Sequence, residues 1–227
     1  MKKEAAIGLC ILLVAILGMV GWQALRPREP IYQGRSLSSW VRQLDDGEPW
    51  AGFSYRSWRT NLSIEQIQAA EAIRHIGTNA LPFLISDATR KESPFDEIFI
   101  ALVGNKKQER AARKQRLGRA WDAALALYAL GPAAKPCIPQ LTKAYYDYGN
   151  EGTARNAAVA LVGTGPEGWQ VLINTITDTN WFACFGIWAL TSQHVTATGT
   201  VDSMIQVLTN KIIFHSEESA WALGELG

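Results

Sequence analysis

One local pattern recurs along this chain and limits its fold more than any other feature. Ala69-Ala70-x-Ala72-Ile73 stands eight positions ahead of Gly77, counted from its first alanine. The same spacing joins Ala123-Ala124-x-Ala126-Leu127 to Gly131, Ala157-Ala158-x-Ala160-Leu161 to Gly165, Ala183-Cys184-x-Gly186-Ile187 to Thr191, and Ser219-Ala220-x-Ala222-Leu223 to Gly227. Small residues at i, i+1 and i+3 let a neighbouring helix approach closely. A glycine just past the helix supplies a left-handed terminating conformation. After the turn comes a second apolar run: Leu81 to Ile85, Ile138 to Leu141, Trp169 to Ile173, and Met204 to Leu208. Pro82 and Pro139 suit the first turn of that second helix. The expected unit is a helix, a turn and an antiparallel helix.

The terminal positions 77, 131, 165, 191 and 227 are 54, 34, 26 and 36 residues apart. The middle of that range suits two-helix repeats, and the widest gap implies an insertion near 89–117. Ser93-Pro94 is placed to open an extra helix there, with Phe95, Ile98, Phe99 and Leu102 on one face. The pattern Ala-Ala-x-Ala-Leu ending in Gly-Pro and followed by Ile-Pro-x-Leu resembles the bacterial HEAT-like repeats, including those of phycobilisome lyases. Ala123 to Leu141 is the best copy, and the resemblance covers roughly 64–227. It implies an all-α fold, an α-solenoid of antiparallel helix pairs used for binding, and it transfers no catalytic residue. The fifth copy stops at Gly227, so the last repeat is expected to be incomplete.

The amino terminus sets the expected compartment. Ala5 to Trp22 is an 18-residue run without a polar side chain, and Gln23, Ala24 and Leu25 extend it without a charge. A helix of that length spans about 30 Å, the hydrocarbon thickness of a bilayer. A cleaved signal peptide is the rival reading, but its cut needs small residues at −3 and −1. Cutting after Ala24 puts Trp22 at −3, and cutting after Gly21 puts Met19 there. Residues 1–25 are therefore read as a single transmembrane anchor in contact with the lipid bilayer. Lys2 and Lys3 are balanced by Arg26 and Arg28, so charge leaves the orientation open. The very short head favours a domain on the extracytoplasmic, periplasmic side. Residues 26–35 read as a linker, and 36–227 as the soluble domain. Its first helix opens at Ser36, with Leu37, Trp40, Val41 and Leu44 on one apolar face. An anchor joined to repeats through Tyr-Gln-Gly-x-Ser-Leu-x-x-Trp (Tyr32 to Trp40) is similar to bacterial membrane-anchored repeat proteins.

Two regions suggest recognition. The segment from Gly104 to Arg119 holds seven cations, Lys106, Lys107, Arg110, Arg113, Lys114, Arg116 and Arg119, against Glu109 alone. On a helix Lys107, Arg110 and Lys114 share a face. That face suits an anionic lipid, a polyanion or an acidic partner, and the plainer reading is a solvated surface. The loop 48–61 carries Trp50, Phe53, Tyr55 and Trp58 with Arg56 and Arg59. Trp50, Tyr55, Arg56 and Trp58 form a candidate binding set, aromatic rings with arginine being common at recognition surfaces. The plainer reading has these rings covering the first helix pair. Trp121, Trp169, Trp181, Trp188 and Trp221 fall inside repeat helices, as core or as groove lining.

Catalytic chemistry finds no support in the sequence. His75, His194 and His215 lack metal spacing, as do Cys137 and Cys184, which read as buried thiols. Gly163-Thr164-Gly165-Pro166-Glu167-Gly168 matches a dinucleotide fingerprint in letters only, because a helical pattern rather than a strand precedes it. The whole-chain net charge of +1 does not point to nucleic acid. The sequence thus reads as a non-catalytic membrane scaffold that binds another protein, without metal or cofactor. An enzyme or enzyme accessory of the lyase or glycosylase-like repeat type is the alternative, and a lipid or polyanion binder is a third. Deleting Met1 to Leu25 is expected to leave a soluble domain with strong far-UV helical circular dichroism. A product found only in aggregates would show that the repeats have no core of their own.

Overall fold

The computed structural model describes residues 28–44, 62–90, 106–147, 149–176, 183–192, 200–209 and 216–226. The described chain is mostly helical. It opens with a two-stranded antiparallel hairpin, β1 (Ile31–Tyr32) and β2 (Arg35–Ser36), followed by α1 (Leu37–Val41). Then come α2 (Ile64–Ile76), α3 (Leu81–Ala88), α4 (Lys106–Leu130), α5 (Ile138–Tyr145), α6 (Glu151–Thr164) and α7 (Pro166–Ile176). The last helices are α8 (Ala183–Ser192), α9 (Thr200–Thr209) and α10 (Ser216–Leu226). The expected membrane segment lies outside the described residues. Among the described residues no helix is long and apolar enough to cross a membrane.

The small-residue pattern lies at the centre of the packing. Ala69, Ala72 and Ile73 of α2, Ala123, Ala126 and Leu127 of α4, Ala157, Ala160 and Leu161 of α6, and Ala183 and Ile187 of α8 are all buried. In α10 Ser219 and Ala222 are buried, whereas Ala220 is exposed. The closest helix contact is between α4 and α6. A Cβ on Gly163 would overlap Tyr128 Cα and lie 2.8 Å from the Tyr128 carbonyl oxygen. Only a glycine allows the two backbones to come so near. Gly168 is equally constrained, since a Cβ there would overlap the Leu161 carbonyl and the Thr164 hydroxyl.

Gly77, Gly131 and Gly165 all have positive φ, at 63°, 64° and 95°. The expected left-handed conformation needs one correction. The ψ angles of Gly77 and Gly165 are −140° and −157°, which places them near the mirror image of the extended region. That region is open almost solely to glycine, so even asparagine is a poor substitute. From Gly77 and Gly131 the chain passes through a 3-10 turn, Gly77–Ala80 or Gly131–Cys137, before the second helix begins. Gly165 leads directly into α7. Pro82 and Pro139 stand in the first turns of α3 and α5 as expected. The dinucleotide-like glycines are thus accounted for as one helix contact, one turn and a second helix contact.

Polar groups tie successive helices together. The Arg74 Nε donates to the Ala129 carbonyl at 2.8 Å, near the end of α4. The Trp169 indole donates to the Val162 carbonyl at 2.7 Å, near the end of α6. The Thr175 hydroxyl donates to Leu172 O at 2.7 Å, which leaves its oxygen to accept from the Tyr145 hydroxyl at 3.0 Å. A Cβ on Gly186 would come within 2.8 Å of the Tyr145 oxygen, so α5, α7 and α8 meet at one buried point. Ser63 and Gln66 form a capping box at the start of α2, and Asn150 caps α6 through the Thr153 N–H. The exposed Lys135–Glu167 ion pair at 2.6 Å adds little stability, although its hydrogen bond holds the Glu167 carboxyl below the usual range.

The amino-terminal region differs from the linker expected over 26–35. Gln33 and Gly34, at φ 49° and 74°, form the tight turn of the hairpin, with the right-handed twist that positive φ at both positions favours. The Tyr32 ring stacks on His75 at 5.2 Å. Its carbonyl accepts from the Trp40 indole at 3.2 Å, and the Arg35 guanidinium lies 4.2 Å above that indole. The Glu29 carboxylate accepts from the Ser38 N–H and hydroxyl. Leu37, Trp40, Val41 and Leu44 are all buried, as their spacing predicts.

Two glycine substitutions separate close packing from helix propensity. Gly163→Ala is expected to destabilise the domain by about 2–3 kcal/mol, because α4 and α6 must separate. A Cβ on Gly118, inside α4, would meet nothing within 4 Å. Gly118→Ala is therefore expected to stabilise by up to about 1 kcal/mol. Urea unfolding followed by circular dichroism checks both signs.

Candidate functional site

The most unusual polar grouping lies where α4, α6 and α8 meet. The Arg155 guanidinium sits 5.4 Å from the centre of the Trp121 ring. The Trp121 and Trp188 rings are tilted against each other with centroids 6.3 Å apart. All three side chains are half-buried. The repeated pattern explains how the fold brings them together. Trp121 and Arg155 each stand two positions before the first small residue of their copies. Trp188 stands seven positions beyond that register, or two helical turns along the same face.

Burial lowers the Arg155 pKa, and the Glu151 carboxylate opposes that shift. The cation remains charged at any physiological pH, and part of its hydration is replaced by an aromatic face. Asn156 follows Arg155 and is 4% exposed, and its Oδ1 has no hydrogen-bond partner. The Trp188 Nε1 donor is likewise buried and unpartnered. Unmet donors and acceptors beside a desolvated cation are costly to fold and useful for recognition. Asp122, in the register of Asn156, is also buried.

The basic segment has a definite setting. From Lys106 onward it forms the front of the 25-residue helix α4, so the rear of the expected insertion is continuous with the helix that carries Trp121. Lys107, Arg110 and Lys114 share a face of that helix by register. Leu117 is level with the start of α6, since a Cβ on Gly152 would meet Leu117 Cδ2 at 4.0 Å. Residues 106–116 therefore run past the start of α6 by about three turns. Trp50, Tyr55, Arg56 and Trp58 lie outside the described residues, as does the expected helix opening at Ser93-Pro94.

Catalytic features were sought with the same care. Among the described residues no three His, Cys, Asp or Glu side chains are grouped to hold a metal ion. Cys137 and Cys184 are buried free thiols, and burial pushes the Cys137 pKa up. Burial also raises the Tyr145 pKa strongly, so this phenol stays protonated and serves as a structural donor. Sequence reasoning placed Trp121 and Trp188 among core or groove residues but missed Arg155. The available signal was its register, which equals that of Trp121 on the preceding copy.

Compared with known proteins, the chain matches no family model and no curated protein sequence. The site is therefore interpreted from its own geometry. Arg155→Met is expected to leave the domain as stable as before, or up to about 1 kcal/mol more stable, because a desolvated cation gives way to an apolar side chain. Thermal unfolding monitors this. A loss above about 2 kcal/mol would show that Arg155 holds the helices together and is not kept for binding.

Proposed function

We propose that this chain is a non-catalytic scaffold, anchored in a membrane by residues 5–25, whose helix pairs form a HEAT-like α-solenoid that binds another protein. The carrying observation is the Trp121–Arg155–Trp188 cluster. Three helices contribute to it from related registers, its rings are half-exposed, and polar groups beside it are unsatisfied. Tryptophan and arginine dominate binding energy at protein interfaces because they combine large contact area with directed polar contacts. The recurring small residues and turn glycines support the repeat reading. The apolar run from Ala5 to Trp22 supports the anchor, with the domain on the periplasmic side.

A second reading has α4 docking on anionic lipid, favoured by the placement of Lys107, Arg110 and Lys114 on one helical face. The two readings differ in what they require. Capture from detergent-solubilised membranes with the chain after Pro30 as bait is expected to retain a specific protein, and Arg155→Gln with Trp188→Ala to release it. Retention by the variant would remove the cluster from the function. In the second reading anionic vesicles bind at low salt, release at high salt, and fail to bind a Lys107→Gln, Arg110→Gln, Lys114→Gln variant. Equal binding by wild type and variant would exclude α4 from any role at the lipid surface.

A further inference from the structure

The basic face of α4 and the aromatic cluster are not separate features. At about 100° per residue, Lys107, Arg110, Lys114 and Trp121 fall within about 60° of one another on the same helix. The helix is continuous from Lys106 to Leu130, so this placement follows from its backbone alone. The stripe of cations leads along α4 directly to Trp121, where Arg155 and Trp188 close its end.

The charges on α4 are arranged at a cost. Lys106–Arg110 and Arg110–Lys114 are like-charge pairs at i,i+4, and Lys107–Arg110, Arg110–Arg113, Arg113–Arg116 and Arg116–Arg119 are pairs at i,i+3. Each such pair weakens a helix. The cations also crowd the amino-terminal half, where the helix dipole disfavours positive charge. An anion laid along the stripe would relieve both effects. At its far end, the half-exposed Trp rings provide apolar area, and Arg155 provides a partly desolvated cation.

We propose that this surface receives an extended acidic segment of a partner protein, its carboxylates along Lys107, Arg110 and Lys114 and an apolar side chain on Trp121 and Trp188 beside Arg155. The inference rests on the scaffold reading and specifies the partner's chemistry. A protein segment fits better than a lipid surface because the stripe ends at a compact aromatic cluster set among three helices, which suits one inserted side chain. The distance sets the segment's length. Lys107 and Trp121 are separated by about 21 Å of helix. An extended chain covers that distance in about seven residues.

The test uses the full chain in neutral-lipid nanodiscs and fluorescein-labelled peptides read by anisotropy. One nine-residue probe carries six glutamates followed by Leu-Phe-Leu, a second has glutamine for each glutamate, and a third is nine glutamates. The first is expected to bind and to weaken with added salt, the second to bind at least about tenfold more weakly, and the third to be insensitive to Trp121→Ala. Lys107→Gln with Lys114→Gln at one end, and Arg155→Gln at the other, are each expected to weaken the first probe about tenfold. Arg155→Lys, which keeps the charge, is expected to recover part of the loss, and unchanged circular dichroism excludes misfolding. Equal binding of the glutamate and glutamine probes would overturn the proposal, as would insensitivity to either end. Binding of anionic vesicles with no peptide binding would assign the stripe to lipid and also overturn it. If wild type and Arg155→Gln retain the same membrane protein, the scaffold reading stands and this inference falls. If neither retains one, the scaffold reading itself falls.

Discussion

The approach of α6 to α4 at Gly163 and Tyr128 is the constraint on which the other contacts depend. Backbone-to-backbone contact between helices leaves no room for adjustable side chains, so it sets their separation and crossing to a narrow tolerance. Alanines along both helices extend this contact over several turns. Trp121 and Arg155 then meet because their helices are held at a fixed distance and register. Gly165 and Gly168 continue the same logic by turning the chain abruptly and letting α7 lie close against α6. The letters that resemble a phosphate-binding loop are there to manage packing distance.

Much of this was legible in the sequence because small-residue spacing and turn glycine both act locally. The buried faces of α1, α2, α4 and α6 follow directly from their periodicity, and the second helices begin at their prolines. The hairpin at Ile31–Ser36 was less visible. Its strands are two residues long, and their partners include Tyr32 on His75, a contact between residues distant in sequence. The ψ angles of the turn glycines were also beyond reach, since a glycine shows only that an unusual conformation is allowed. Arg155 was passed over because one arginine in an alanine-rich helix reads as solvated. Its placement over Trp121 depends on two successive copies lying side by side. Conversely, Trp50, Tyr55, Arg56 and Trp58 were chosen by composition, which carries no information on what those side chains touch.

The proposed surface illustrates a division of labour within α4. Its carboxyl-terminal half is apolar, closely packed and held at Ala129 by Arg74. Its amino-terminal half is cationic and extends beyond the start of α6. A single rigid rod thus transmits position from the packed region to the charged one. Recognition on a rigid helix loses less conformational entropy than recognition on a loop.

The buried thiols have a consequence for how the chain must be made. In the folded domain Cys137 and Cys184 are shielded from oxidants by the same packing that holds the helices together. If the domain lies on the periplasmic side, as proposed, it folds where disulfides form readily. Before folding, both thiols are open to pairing with each other or with other chains. Folding therefore competes with oxidation during export. A substitution that slows helix packing would then do more harm in that compartment than its equilibrium cost suggests, by trapping molecules as covalent misfolds.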